Sequence, residues 1–339
     1  MMDCSKEIRS FHDDRVKLSE DVRKKLSDHA EANERRLKDG LKDADEPSPS
    51  HFVLQGSYAM RTTVQHPEKD YDIDDGVVFT KESLKGRQGA DKTALDARKM
   101  VCDALERNSD SFKKKPEVGE NCVRVFYKEG HHVDVPVYRM ENPDADSTLY
   151  EIASADWKKS NPEAVTDWFQ NQLKAKHSSQ EKSGEHQMRR MVRLLKMFST
   201  SRPSWNMPSG FILTVLTNER YFSYDEREDQ AFYNLIKSVK SRLDGSLVVQ
   251  HPVLSETITK TSEDACMKEL KERLEWAISE LEVTQTTDSK TKALKAWRRV
   301  FDTDYFDDQI DEGSAKCSLV VTNEQPTAPV QKAGGGRFG

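Results

Sequence analysis

The stretch Gln55 to Phe79, QGSYAMRTTVQHPEKDYDIDDGVVF, constrains this chain more than any other. It joins a glycine-serine turn to a segment with aspartates at alternate positions. A strand over Tyr71 to Phe79 turns successive side chains to opposite faces, which sets Asp72 and Asp74 on one and Ile73 and Val77 on the other. Two carboxylates side by side repel, a cost that a hard cation such as Mg²⁺ removes. A divalent metal is therefore implied. A second segment, His131 to Tyr138 (HHVDVPVY), sets Val133, Val135 and Val137 on one face and Asp134 on the other, which makes a third acid available. Three carboxylates on adjacent strands, beside a turn that offers backbone N–H groups and a hydroxyl to phosphates, suit two-metal transfer of a nucleotidyl group. Asp70 shares the parity of Asp72 and Asp74, so both DYD and DID fit the acid-apolar-acid spacing.

Composition narrows the class. A chain of 339 residues with 35% apolar content is long enough for two packed domains. No apolar run approaches membrane-spanning length and MMDCSKEIRS lacks a signal-peptide pattern, so a cytoplasmic protein is expected. Cys4, Cys102, Cys122, Cys266 and Cys317 are scattered, which supports neither a disulfide framework nor a structural zinc. A formal charge of −6 argues against coating a long polyanion, while small nucleotides held through metal remain compatible. His131 and His132 are a poor metal pair here, since Mg²⁺ prefers oxygen and no third soft ligand is near in sequence.

In chain order, Leu18, Val22, Leu26, Ala30, Asn33, Leu37 and Leu41 recur at three- or four-residue spacing, and predict one long helix from Ser5 to Leu41. After the Gly56-Ser57 turn, Tyr58 to Val64 is expected to begin a short helix whose amino end attracts phosphate. Ala94 to Leu105 is amphipathic and should cover a sheet, and Glu129-Gly130 is a hairpin signal leading back into His131 to Tyr138. Ser160 reads as a helix cap, with Pro162 in the first turn and Glu163 closing a capping box. In HQMRRMVRLLKMF, Met188, Met191, Val192, Leu195 and Phe198 line one helix face and Arg189, Arg193 and Lys196 another, a basic stripe that ordinarily faces solvent. Helices are also expected at Phe211 to Leu216, Phe232 to Leu243, Ala265 to Leu281 and Lys290 to Phe301, with a glycine-rich tail beyond.

QGSYAMRT, DYDIDDG and HVDVP resemble the polymerase-β-like nucleotidyltransferases and, more closely, the bacterial cGAS/DncV-like enzymes that make cyclic oligonucleotide signals. The resemblance selects Asp72 and Asp74 as the paired acids, with Asp70 near the strand start and Asp75 facing away. It implies an α+β fold: residues 1–50 as a spine helix along the back of both lobes, 51–180 as the catalytic core with its sheet, 181–312 as a helical nucleotide-binding lobe, and 313–339 as a flexible tail. By the same likeness Asp72, Asp74 and Asp134 would hold two Mg²⁺ or Mn²⁺ ions, while Gln55, Gly56, Ser57, Lys196 and Ser209 would hold the triphosphate. The implied activity is synthesis of a cyclic di- or trinucleotide from ATP, GTP or both, with release of pyrophosphate, for an effector in bacterial anti-phage signalling. Many such enzymes are encoded beside a ubiquitin-activating and ubiquitin-conjugating-like protein. The tail QKAGGGRFG therefore suggests Gly339 as a conjugation point, with Arg337 and Phe338 supplying recognition. The alternatives are an RNA, tRNA or protein nucleotidyltransferase, which normally offers a basic track, and a degenerate scaffold, which would lack one of the acids.

Overall fold

The computed structural model describes residues 1–65, 71–86, 89–107, 112–141, 148–176, 186–224 and 226–310. The chain opens with α1 (Ser5–Phe11), runs through a π-helical turn at His12–Val16, and resumes as α2 (Glu20–Asp43). The expected single helix is thus two. Lys17 is extended (φ −69°, ψ 131°) and bridges to Val64, and Ser19 caps α2 by accepting the Val22 amide. The two pieces serve different cores: Ile8, Phe11 and Val16 pack into the helical lobe, and Leu18, Leu26, Ala30, Leu37 and Leu41 into the sheet lobe. Apolar spacing alone runs on through such a break.

The sheet lobe contains β1 (His51–Gln55), the helical turn α3 (Gly56–Ala59), β2 (Asp72–Thr80), α4 (Ala94–Glu106), β3 (Phe112–Val118), β4 (Val123–Tyr127), β5 (His132–Val135), β6 (Val137–Glu141), β7 (Leu149–Ala153) and β8 (Trp157–Lys159). Strand β2 is central. β1 runs antiparallel to it, and β5 and β6 run parallel to it. Asp74 stands opposite Asp134 and Val77 opposite Val137, so the register does not slip at Pro136. β5 and β6 are one strand interrupted by a residue without an N–H, whose carbonyl still accepts the Val77 amide at 2.9 Å. β4 enters antiparallel through Gly130 at φ 105°, as the hairpin signal predicts, and β7 and β8 extend the far edge. Ile73, Val77, Phe79, Val133, Val135 and Val137 form the buried face beneath α2 and α4. A β-carbon at Gly40 would overlap the Ala104 backbone, so that glycine permits the close approach of α2 to α4.

The helical lobe comprises α5 (Pro162–Ala175), α6 (Gln187–Thr200), α7 (Gly210–Arg220), α8 (Glu228–Gly245), α9 (Ala265–Leu281), α10 (Val283–Thr286) and α11 (Lys290–Phe301). Asn161, not Ser160, caps α5. Its Oδ1 accepts the Glu163 and Ala164 amides at 3.1 and 3.0 Å, and Pro162 occupies the first helical position, where no N–H is needed. Phe198, Phe232, Trp297 and Phe301 centre the core. α1 is tied to this lobe by the Cys4 amide, which donates to Asp229 Oδ2 at 2.9 Å, and by Ser5 Oγ, which donates to the Glu226 carbonyl at 2.7 Å. No described helix is long and apolar enough to cross a membrane. Asp70 and the tail with Gly339 lie outside the described residues.

Candidate active site

Strand alternation sends Asp72 and Asp74 to the open face of β2, and the parallel register brings Asp134 of β5 level with Asp74. Antiparallel β1 ends with Gln55 level with Asp74 on the other side, so the Gly56-Ser57 turn arrives at that carboxylate. Gly56 has φ +64°, and a β-carbon there would overlap Asp74 Oδ2. Glycine is required here by both backbone and space. The expected helix from Tyr58 to Val64 is instead the short turn α3 that starts at Gly56, since Arg61 takes a left-handed φ of 56° and ends it.

Asp74 is partly buried and crowded by like charge. Burial first, then the charges of Asp72 and Asp134, push its carboxyl up to about 7, against the opposing pull of Arg124. Arg124 grips Asp134 in a fork, Nε to Oδ1 at 2.7 Å and Nη2 to Oδ2 at 2.6 Å. Asp75, next along β2, points to the opposite face and is buried.

The basic stripe of α6 is not solvated. Arg189, Arg193 and Lys196 are buried against the segment after α3, where they donate to successive carbonyls: Arg189 Nε to Met60 at 3.1 Å, Arg193 Nη2 to Arg61, and Lys196 Nζ to Thr62 at 3.2 Å. Lys196 Nζ also meets Thr62 Oγ1 at 3.1 Å, and burial holds its ammonium down to about 8 despite the nearby charge of Asp72. This row joins the two lobes and brings a lysine to the acids. Ser209 caps α7 by accepting the Ile212 amide at 3.4 Å and is exposed. The helix end it caps does lie against the lysine, because a β-carbon on Gly210 would come within 3.1 Å of Lys196 Cε.

A cleft of about 760 Å³ runs between the lobes, lined among others by Gln55, Gly56, Ser57, Asp72, Asp74 and Lys196. Asp134 and Ser209 are outside its lining. Sequence reasoning missed Thr62, Thr63, Tyr138, Phe211 and His251, which line it too. Ser57 Oγ pairs with Thr63 Oγ1 at 2.9 Å, and Tyr138 OH donates to Gln55 Oε1 at 2.9 Å, so both turn residues are held by side chains. The paired threonines directly after QGSYAMR were the available signal; His251 had none, being in a polar loop.

The two adjacent histidines part ways: His132 is level with Asp72, its Nε2 3.9 Å from Asp134 Oδ1, while His131 turns to the opposite face. His131 meets His29 of α2 with ring nitrogens 2.5 Å apart, and Glu129 completes a trio of possible ligands within 4.8 Å. Two nitrogens on one tetrahedral zinc, each about 2.0–2.1 Å from the ion, stand farther apart than this, so the contact is a hydrogen bond between rings.

A mixed sheet with an acid-apolar-acid central strand, a third acid on the parallel neighbour and a glycine-serine turn over them defines a polymerase-β-like nucleotidyltransferase fold. Residues 50–138 match the nucleotidyltransferase domain of the cyclic GMP-AMP synthase DncV-like family. Over those residues the chain is similar to that bacterial cGAS/DncV-like group. A cyclic GMP-AMP synthase of Escherichia albertii is 28% identical over 221 residues, 63% of this chain but only 46% of that protein, so the match spans less than half of the relative's length. Vibrio cholerae DncV cyclic AMP-GMP synthase, solved with a linear intermediate, has a TM-score of 0.70 at 16% identity over 90% of this chain and 98% of that one. Escherichia coli DncV bound to 3′-deoxy GTP has a TM-score of 0.65 at 16% identity over 85% and 92%. At these identities the structural likeness is one of fold.

Proposed function

We propose that the chain joins nucleoside triphosphates into a cyclic di- or trinucleotide with release of pyrophosphate. The observation that carries this reading is the convergence of Asp72, Asp74 and Asp134 beside the cleft, which leaves Asp74 short of compensating positive charge. The donor set is all carboxylate oxygen, which fits a hard divalent cation. Asp72, Asp74 and Asp134 would hold Mg²⁺ or Mn²⁺, two ions in the full site, and Arg124 would yield part of its grip on Asp134. Bound metal supplies neutralisation of the transferring phosphate and a lower pKa for the attacking ribose hydroxyl.

The chain's own residues bind and orient. Gly56, Ser57 and Lys196 take the β- and γ-phosphates, and the end of α7 below Ser209 closes the far side. The hydroxyl oxygen bonds to the α-phosphorus as the bond to the bridging oxygen breaks, pyrophosphate leaves with that electron pair, and the hydroxyl proton passes to solvent. Most of the rate would come from positioning and charge, since the protein offers no nucleophile. The relatives are named as cyclic GMP-AMP or cyclic AMP-GMP synthases, which supports ATP and GTP as substrates, and by extension a signal read by an effector in anti-phage defence.

Incubation of purified protein with labelled ATP and GTP plus Mg²⁺, followed by mass spectrometry of the phosphatase-resistant product, tests this. A cyclic oligonucleotide is expected. Label found only on added RNA or on protein would replace the reading with a tailing or protein-modifying one.

A further inference from the structure

His251 lies in the loop between α8 and α9, a loop held at both ends. Its own amide donates to the Glu256 carbonyl at 2.8 Å, Ile258 pairs back to buried Val249 at 2.9 Å, and Lys158 of β8 reaches Glu256 at 3.2 Å. The ring is held as well. Its Nδ1 accepts two amides of the same loop, Leu254 at 2.9 Å and Val253 at 3.2 Å. A nitrogen that accepts two N–H groups carries no proton, so the neutral ring bears its hydrogen on Nε2. Burial, its largest influence, lowers the imidazole's pKa and so favours that neutral form. Among the described residues Nε2 makes no hydrogen bond, while the ring lines the same cleft as Asp72, Asp74 and Lys196. Beside it stands Phe211 from the first turn of α7, ring centroids 5.5 Å apart and tilted by 55°. The cleft thus carries, besides its carboxylates and lysine, a fixed N–H donor with an aromatic ring beside it.

We propose that His251 is a specificity-determining residue, donating its Nε2 hydrogen to an acceptor atom on the base of a bound nucleotide while that base packs against Phe211. This rests on the nucleotide reading of the cleft. A base that turns an amino group to the same spot sets donor against donor and leaves both unpaired, which is how a buried hydrogen-bonding group rejects a wrong substrate. A structural role for His251 would need only Nδ1; a reading role needs Nε2. His251→Asn separates the two, because its amide oxygen keeps an acceptor for the loop amides and has nothing at the Nε2 position. His251→Gln restores reach to that position.

The experiment measures KM and kcat for ATP, GTP, CTP and UTP with wild type, His251→Asn and His251→Gln, alongside thermal stability. His251→Asn is expected to raise KM by about tenfold for the preferred triphosphate, to leave the others within about twofold, and to keep the wild-type melting temperature, with partial recovery in His251→Gln. Equal losses for all four triphosphates, or no change for any, would overturn the proposal. Isothermal titration with non-hydrolysable triphosphates repeats the comparison without turnover. Base-selective binding lost in His251→Asn upholds the assignment even in a chain that makes no cyclic product, and unchanged binding refutes it.

Discussion

Asp74 and Asp75 are neighbours on β2, and both carboxyls are pushed up to about 7. Burial is the largest cause for each. They differ in what surrounds them. Asp74 faces two further aspartates and a cleft, and a Gly-Ser turn closes over it. Asp75 faces the underside of α2, where Glu34 raises it, Lys38 lowers it, and its Oδ1 has no hydrogen-bond partner among the described residues. A raised pKa therefore marks a buried acid, and only convergence of like charges marks a place built for a cation.

The largest expected effect breaks the pair. Asp72→Asn with Asp74→Asn should reduce turnover to the blank while circular dichroism stays unchanged, because ligands are lost and repulsion is relieved. Substantial remaining activity would remove the metal assignment.

Lys196→Ala comes next. Loss of a charge-assisted contact costs roughly 1.5–3 kcal/mol, so KM for the triphosphates should rise about 10- to 150-fold. An unchanged KM would leave Lys196 as a purely structural tie to Thr62. The wild type should show the same loss gradually, with KM rising as pH passes about 8 and the ammonium deprotonates.

The smallest effect sharpens the contrast within β2. Each carboxyl ordinarily titrates near 3.8 and is raised in the fold, so between about pH 4 and 7 the folded chain holds protons the unfolded chain has released. Stability is lost as pH rises through that window. Asp75→Asn and Asp74→Asn should each raise the melting temperature at pH 8 in chelator, by about 1–2 °C per kcal/mol relieved, and neither should do so near pH 4. Added Mg²⁺ should cancel the advantage for Asp74→Asn, by stabilising the wild type instead, and leave it for Asp75→Asn.

How much of this was legible follows the same division. The acids could be read because alternation with Ile73, Val77 and the valines of His131 to Tyr138 fixes their face, and a strand has only two faces. The α6 stripe could not: whether Arg189, Arg193 and Lys196 meet water or carbonyls depends on residues more than a hundred positions earlier in sequence. The break at Lys17 was hidden because Leu18 continues the apolar spacing while turning to a different core. Ser160 and Asn161 are both good caps, and which one serves is decided by how the chain leaves β8.

The central claim is that Asp74 belongs to a metal-holding trio and Asp75 does not. Pyrophosphate release from ATP plus GTP, measured for Asp74→Asn and Asp75→Asn with Mg²⁺ and again with EDTA, tests it most directly. The account predicts release by wild type and Asp75→Asn in Mg²⁺ only, and none by Asp74→Asn. Release by Asp74→Asn near the wild-type rate, or its loss in a folded Asp75→Asn, would contradict it.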